Sequence, residues 1–130
     1  MSETSEPHFN AVTVNHIAIT VSDLARSKAW YCRMFGLSVI QESAESVLLG
    51  FGESMLVLRT GEKPGTISHF MFGLAAYDAE RIEAQLKVEG LDPQKDSDSF
   101  HVRDPDGLDV QLGDRMLGLQ GFVENGFKMK

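Results

Sequence analysis

Polar and apolar positions along the chain fall into short alternating runs broken by two helical stretches. Val12 to Val21 is rich in β-branched residues and predicts a strand. Ser22-Asp23 follows as a helix-capping signal. Leu24, Ser27, Tyr31 and Phe35 then share one stripe at helical spacing, and Gly36 stops the helix. Leu37 to Gln41, Ser46 to Phe51 and Met55 to Arg59 predict three short strands. Thr60 to Thr66, with Gly61, Pro64 and Gly65, reads as a linker.

The same order then returns. Ile67 to Leu74 predicts a strand, and Asp78 caps a helix over Ala79 to Glu89 that Gly90 ends. Leu91 to Ser97 is polar and is expected to loop. Ser99 to Arg103 and Leu108 to Leu112 predict the closing strands, joined by the turn Asp104-Pro105-Asp106-Gly107. His16 and His69 stand in the first strand of each half, 53 positions apart. The pattern implies an α+β fold of two β-α-β-β-β modules, 12–60 and 67–112, sharing one cup-shaped mixed sheet. Residues 1–11 are expected to be a disordered leader, with His8 solvated, and 115–130 a C-terminal tail that docks on a second subunit.

Composition adds limits. The 130 residues suit one domain, and the hydrophobic share of 42% is ordinary for a globular protein. A net charge of -7 opposes binding to nucleic acid or an anionic membrane surface. Cys32 is the single cysteine, so a disulfide within the chain and a paired-cysteine zinc site are excluded. With no signal-peptide pattern at the start, the expectation is a cytoplasmic protein.

The chemistry centres on the two histidines. A lone histidine among apolar strand residues is more often a packed core residue than a ligand. Two at equivalent places in a repeat change that balance, because the pseudo-two-fold brings both imidazoles toward one point. Imidazole is a common ligand for zinc, iron, manganese and nickel. Strand alternation places Asp109 and Gln111 on the cup face of the last strand, and Val110 and Leu112 on the core face. Trp30 and Tyr31 are expected in the core.

Asn15-His16-Ile17-Ala18-Ile19-Thr20-Val21-Ser22-Asp23-Leu24, with Ser27, Trp30-Tyr31 and Phe35-Gly36-Leu37, resembles the opening of glyoxalases, extradiol dioxygenases and bleomycin- or fosfomycin-resistance proteins. Ser68-His69-Phe70-Met71-Phe72 resembles their second-module opening, and Arg103 to Leu112 their closing strand. The resemblance to this vicinal oxygen chelate superfamily covers about residues 12–114. It implies a divalent metal (Fe, Mn, Zn or Ni) on His16, His69 and Gln111, an enzyme of lyase or dioxygenase type, and a homodimer. A metal-free binding protein of the bleomycin-resistance type is the alternative.

Two departures bear on that choice. Gln111 stands where metal-using members carry a glutamate. Val57, an expected substrate contact, stands at the corner where glyoxalase I-like members place a fourth ligand, which argues against glyoxalase I. Asp109 and His101 are candidate acid–base groups, with a solvated carboxylate and a surface histidine as the plainer readings. Arg103 and Arg59 are candidates to hold an anionic small-molecule substrate.

Overall fold

The computed structural model describes residues 7–119. The β-branched run forms β1 (Ala11–Val21), and Asp23 caps α1 (Leu24–Phe35) by accepting a hydrogen bond from the Arg26 backbone N–H. Gly36 ends α1 in the left-handed region at φ 72°, where a glycine carries no side-chain penalty. Strands β2 (Ser38–Glu42), β3 (Ser46–Phe51) and β4 (Ser54–Thr60) complete the first module. The second module runs β5 (Thr66–Leu74), α2 (Ala79–Val88), β6 (Gln94–Lys95), β7 (Ser99–Arg103) and β8 (Asp109–Asp114). Asp78 caps α2 as Asp23 caps α1.

Among the described residues the strands form one mixed sheet in the order β2-β3-β4-β1-β5-β8-β7-β6. Each module's first strand pairs in parallel with its last, β1 with β4 and β5 with β8. The two first strands meet antiparallel at the centre of the sheet. The expected two-module α+β fold is therefore the observed one, and its pseudo-two-fold axis passes between β1 and β5.

The helices cover one face of the sheet. Val21, Val47, Leu49 and Leu58 form a buried cluster under Leu24, Tyr31 and Cys32 of α1. Leu74, Phe100 and Leu112 bury against Ile82 and Leu86 of α2. Each such side chain is worth about 1.5–3 kcal/mol when fully removed from water. Alternation sends the partners of these residues to the other face. On β4, Leu58 faces α1 while Met55, Val57 and Arg59 face the cup; on β8, Leu112 faces α2 while Gln111 faces the cup.

Several expectations are corrected. The leader is not free up to residue 11. Phe9 packs against the α2 core, His8 Nε2 meets Glu89 at 2.7 Å, and Arg81 donates to the His8 carbonyl. Apolar burial of one aromatic ring outweighs the polar character of its neighbours. Part of the polar stretch 91–97 pairs as β6, because its backbone finds partners on β7. Trp30 is 43% exposed and stacks edge-on to Tyr31 rather than entering the core. The start of the tail docks on its own chain, where Leu119 is fully buried with Met55. Residues 120–130 lie outside the described residues.

Candidate metal and substrate site

One row across the sheet builds the floor of the cup. His16 pairs with Met55 on one side and Met71 on the other, Met71 pairs with Gln111, and Gln111 with His101. His69 pairs with Ala18, one step along. The result is a cavity of about 380 Å³ whose lining includes His16, His69, Gln111, Val57, Arg59 and His101.

The two imidazoles meet edge-on, with His16 Nε2 3.3 Å from His69 Nε2. Their other nitrogens face oxygens. His16 Nδ1 lies 2.8 Å from Asn15 Oδ1, and His69 Nδ1 lies 3.3 Å from Ser68 Oγ. Ser68 Oγ itself donates to the Ala18 carbonyl, so its lone pairs are free to accept. Asn15 Oδ1 holds the hydrogen on His16 Nδ1, which leaves the His16 Nε2 lone pair directed at His69 Nε2. With Ser68 Oγ accepting from His69 Nδ1, both Nε2 lone pairs face one point, where a cation would fit between them.

Burial, and then the neighbouring His69, lower the pKa of His16 from 6.5 to about 4, while the Gln111 side chain pulls it upward. Burial also lowers the pKa of His69, with Asp109 acting the other way. Both rings are neutral near pH 7, the form that binds metal.

Gln111 is buried and its Nε2 donates to Ser99 Oγ at 2.8 Å. Its Oε1 is buried without a hydrogen-bond partner. An orphaned carbonyl oxygen beside two imidazole lone pairs is a donor set of the kind a divalent ion accepts. Two nitrogens at about 2.0–2.1 Å from one ion, at a near-tetrahedral angle, stand about 3.3–3.4 Å apart. The observed spacing fits. Among the described residues no group of three or more His, Cys, Asp or Glu side chains is arranged to hold a metal ion.

The remaining candidates divide. His101 enters the cup, its ring centroid 5.6 Å from that of His69. Its Nδ1 contacts Asp109 Oδ1 at 2.8 Å and its Nε2 contacts Asp96 Oδ2 at 3.0 Å. Asp109 thus reaches the cup through His101 and lines the adjacent cleft. Val57 is buried in the cup wall beside exposed Arg59. Arg103 is not in the cup. Its guanidinium donates to the Gly107 carbonyl at 3.1 Å and lies in the cleft with Asp109, because the β7–β8 turn offers it an acceptor within reach.

Asp96, Asn15 and Ser68 were not singled out by the sequence pattern. Asp96 falls in an acidic stretch without periodicity. Asn15 did carry a signal, as a polar residue inside a β-branched run next to a histidine.

The chain belongs to the Glyoxalase/Bleomycin resistance protein/Dioxygenase superfamily, whose family pattern matches residues 13–112. It is 25% identical over 111 residues to glutathione transferase FosA of Serratia marcescens, covering 77% of this chain and 79% of that protein. It superposes on homoprotocatechuate 2,3-dioxygenase from Brevibacterium fuscum with a TM-score of 0.71 at 22% identity, over 83% of this chain. The enzyme of that name from Arthrobacter globiformis gives 0.71 at 25% identity, over 85% of this chain. This chain spans 33% and 38% of those two dioxygenase chains.

Proposed function

We propose that the protein is a metal-dependent enzyme whose His16 Nε2, His69 Nε2 and Gln111 Oε1 hold one divalent ion of Fe, Mn, Zn or Ni. The 3.3 Å convergence of the two Nε2 atoms beside the partnerless Gln111 oxygen carries this reading. Similarity to a glutathione transferase and to dioxygenases supports an enzyme in this superfamily. A bound ion supplies Lewis-acid activation of substrate oxygens.

The chain's own residues define what such a substrate is. The two imidazoles and the amide add no negative charge, Arg59 lines the cup, and Asp96, the one carboxylate among the described residues of its wall, is engaged by His101. A small anion with two adjacent oxygens suits that environment, such as a 2-oxo acid, a 2-hydroxy acid or a catecholate. Val57, Leu48 and Met55 supply apolar wall against its carbon skeleton. His101, gripped by Asp109 and Asp96, is the group placed to take up or deliver a proton, giving chemistry of lyase or dioxygenase type. Two copies pair as a homodimer in this reading, which exposed Val14 and Phe72, paired on the central strands, support.

Val57 and the neutral Gln111 favour one other reading, a metal-free cup that sequesters a small molecule. Elemental analysis separates the two, using protein purified without chelator or affinity-tag nickel. About one metal per chain is expected; protein that neither carries metal nor takes it up on titration overturns the enzyme reading and leaves the binding module.

A further inference from the structure

Asn15 is fully buried although it is polar, and all of its amide is used. Its Nδ2 donates to two backbone carbonyls of the C-terminal turn, Arg115 O and Leu117 O, each at 3.0 Å. Its Oδ1 faces His16 Nδ1 at 2.8 Å. Carbonyl oxygens only accept, so the two of them fix which end of the amide is nitrogen. The end facing His16 must then be the oxygen, and an oxygen acceptor requires the hydrogen on His16 Nδ1. The lone pair is left on Nε2, the atom aimed at His69.

Backbone geometry makes this chain of contacts possible. The β1–β5 register shifts between Val14 and His16, so β1 carries an extra residue, Asn15, against β5. Such a bulge lets neighbouring side chains escape strict alternation. Asn15 and His16 therefore both reach the cup. The register shifts again between Ala18 and Ile19, where Ser68 is the extra residue on β5, immediately before His69. Each histidine is thus preceded by a bulged residue whose oxygen meets its Nδ1. Ser68 Oγ reaches across to the Ala18 carbonyl on β1, whereas Asn15 is tied to the C-terminal turn.

We propose that Asn15 is a positioning residue through which the docked C-terminal turn sets the His16 tautomer, so that metal binding depends on a turn that supplies no side-chain ligand. Leu119 anchors that turn, being fully buried against Met55. The inference rests on the metal-site reading above for its consequence, but its first step concerns the metal-free protein alone.

The test uses the full chain and two variants, Asn15→Leu and Leu119→Asp. The first removes the oxygen from His16 and the donors from the turn; the second expels the turn by placing a charge in an apolar site. Long-range ¹H–¹⁵N correlation of the histidine rings in metal-free protein reads the tautomer. Wild-type His16 is expected to carry its hydrogen on Nδ1, and both variants to shift population toward Nε2–H. Manganese affinity is expected to fall by about 10–100-fold in both, the usual cost of losing an outer partner of a ligating histidine. Asn15→Asp, which keeps the acceptor, is expected to keep the Nδ1–H form. If Asn15→Leu fails to fold, Leu119→Asp carries the test. Unchanged tautomer and manganese affinity within about twofold of wild type in the folded variants overturn the proposal. Wild-type protein that binds no manganese overturns the metal-site reading instead, while the ring correlation still decides the tautomer step.

Discussion

His16 Nε2 lies 3.3 Å from His69 Nε2, although the two residues are 53 positions apart in sequence. The contact follows from the antiparallel pairing of β1 and β5, which sets His69 beside Ala18 and brings both rings over the same part of the sheet. Neither ring is there to fill the core, since both line the cup.

Alanine at His16 or His69 is expected to abolish measurable metal binding while the fold persists. Each ring sits at the cup face rather than in the buried apolar clusters, so its loss removes a ligand and little packing. Metal titration beside thermal melts of both variants checks this. Metal binding that survives in both contradicts the ligand assignment.

Gln111→Glu is expected to tighten divalent-metal binding by at least about tenfold. A full charge about 4 Å away at an effective dielectric near 20 is worth up to about 4 kcal/mol, and the lost donation to Ser99 Oγ offsets part of it. Calorimetric titration with manganese or anaerobic iron(II) measures the change. Equal or weaker binding indicates that Gln111 Oε1 does not face the ion.

Metal-free protein is expected to lose stability as pH falls from about 6.5 toward 4. The folded chain holds His16 near pKa 4, against 6.5 for a free imidazole, so within that window the unfolded chain binds a proton the folded chain refuses. The contribution is fully present above the unfolded value and is lost on acidification; His69 acts in the same direction. Melts across that range should show a flatter slope for His16→Gln than for wild type. Identical slopes contradict the assignment of a buried neutral His16.

Arg59→Gln is expected to weaken binding of a small chelating anion by about two- to fivefold, and Arg103→Gln to leave it unchanged, in line with the worth of one exposed charge. Arg59 lines the cup, whereas Arg103 turns away to the Gly107 carbonyl. Thermal shifts with matched anionic and neutral ligands separate the two. An equal loss in both variants returns Arg103 to the site.

The fold was legible because both modules follow strong local rules. Asp23 and Asp78 cap helices, Gly36 closes one, and the Asp104 carboxylate organises its turn by accepting from the Asp106 and Leu108 backbone N–H groups. The convergence of His16 and His69 followed from the repeat. Arg103 was misplaced because strand alternation fixes where a side chain leaves the backbone, not where a long guanidinium ends. Phe9 was missed because one aromatic in a polar stretch carries no periodicity. Asn15 and Ser68 owe their places to two bulges, and a bulge shifts the register by a residue without a mark in the hydrophobic pattern.

The central claim is that His16, His69 and Gln111 surround one ion. X-ray absorption at the metal edge of protein loaded with one equivalent of manganese or iron(II) tests it most directly. The account predicts two imidazole nitrogens in the first coordination sphere of wild type, and no imidazole scattering in His69→Ala, whose metal stays in solution. A wild-type spectrum with no imidazole scattering, or one unchanged in the variant, contradicts it.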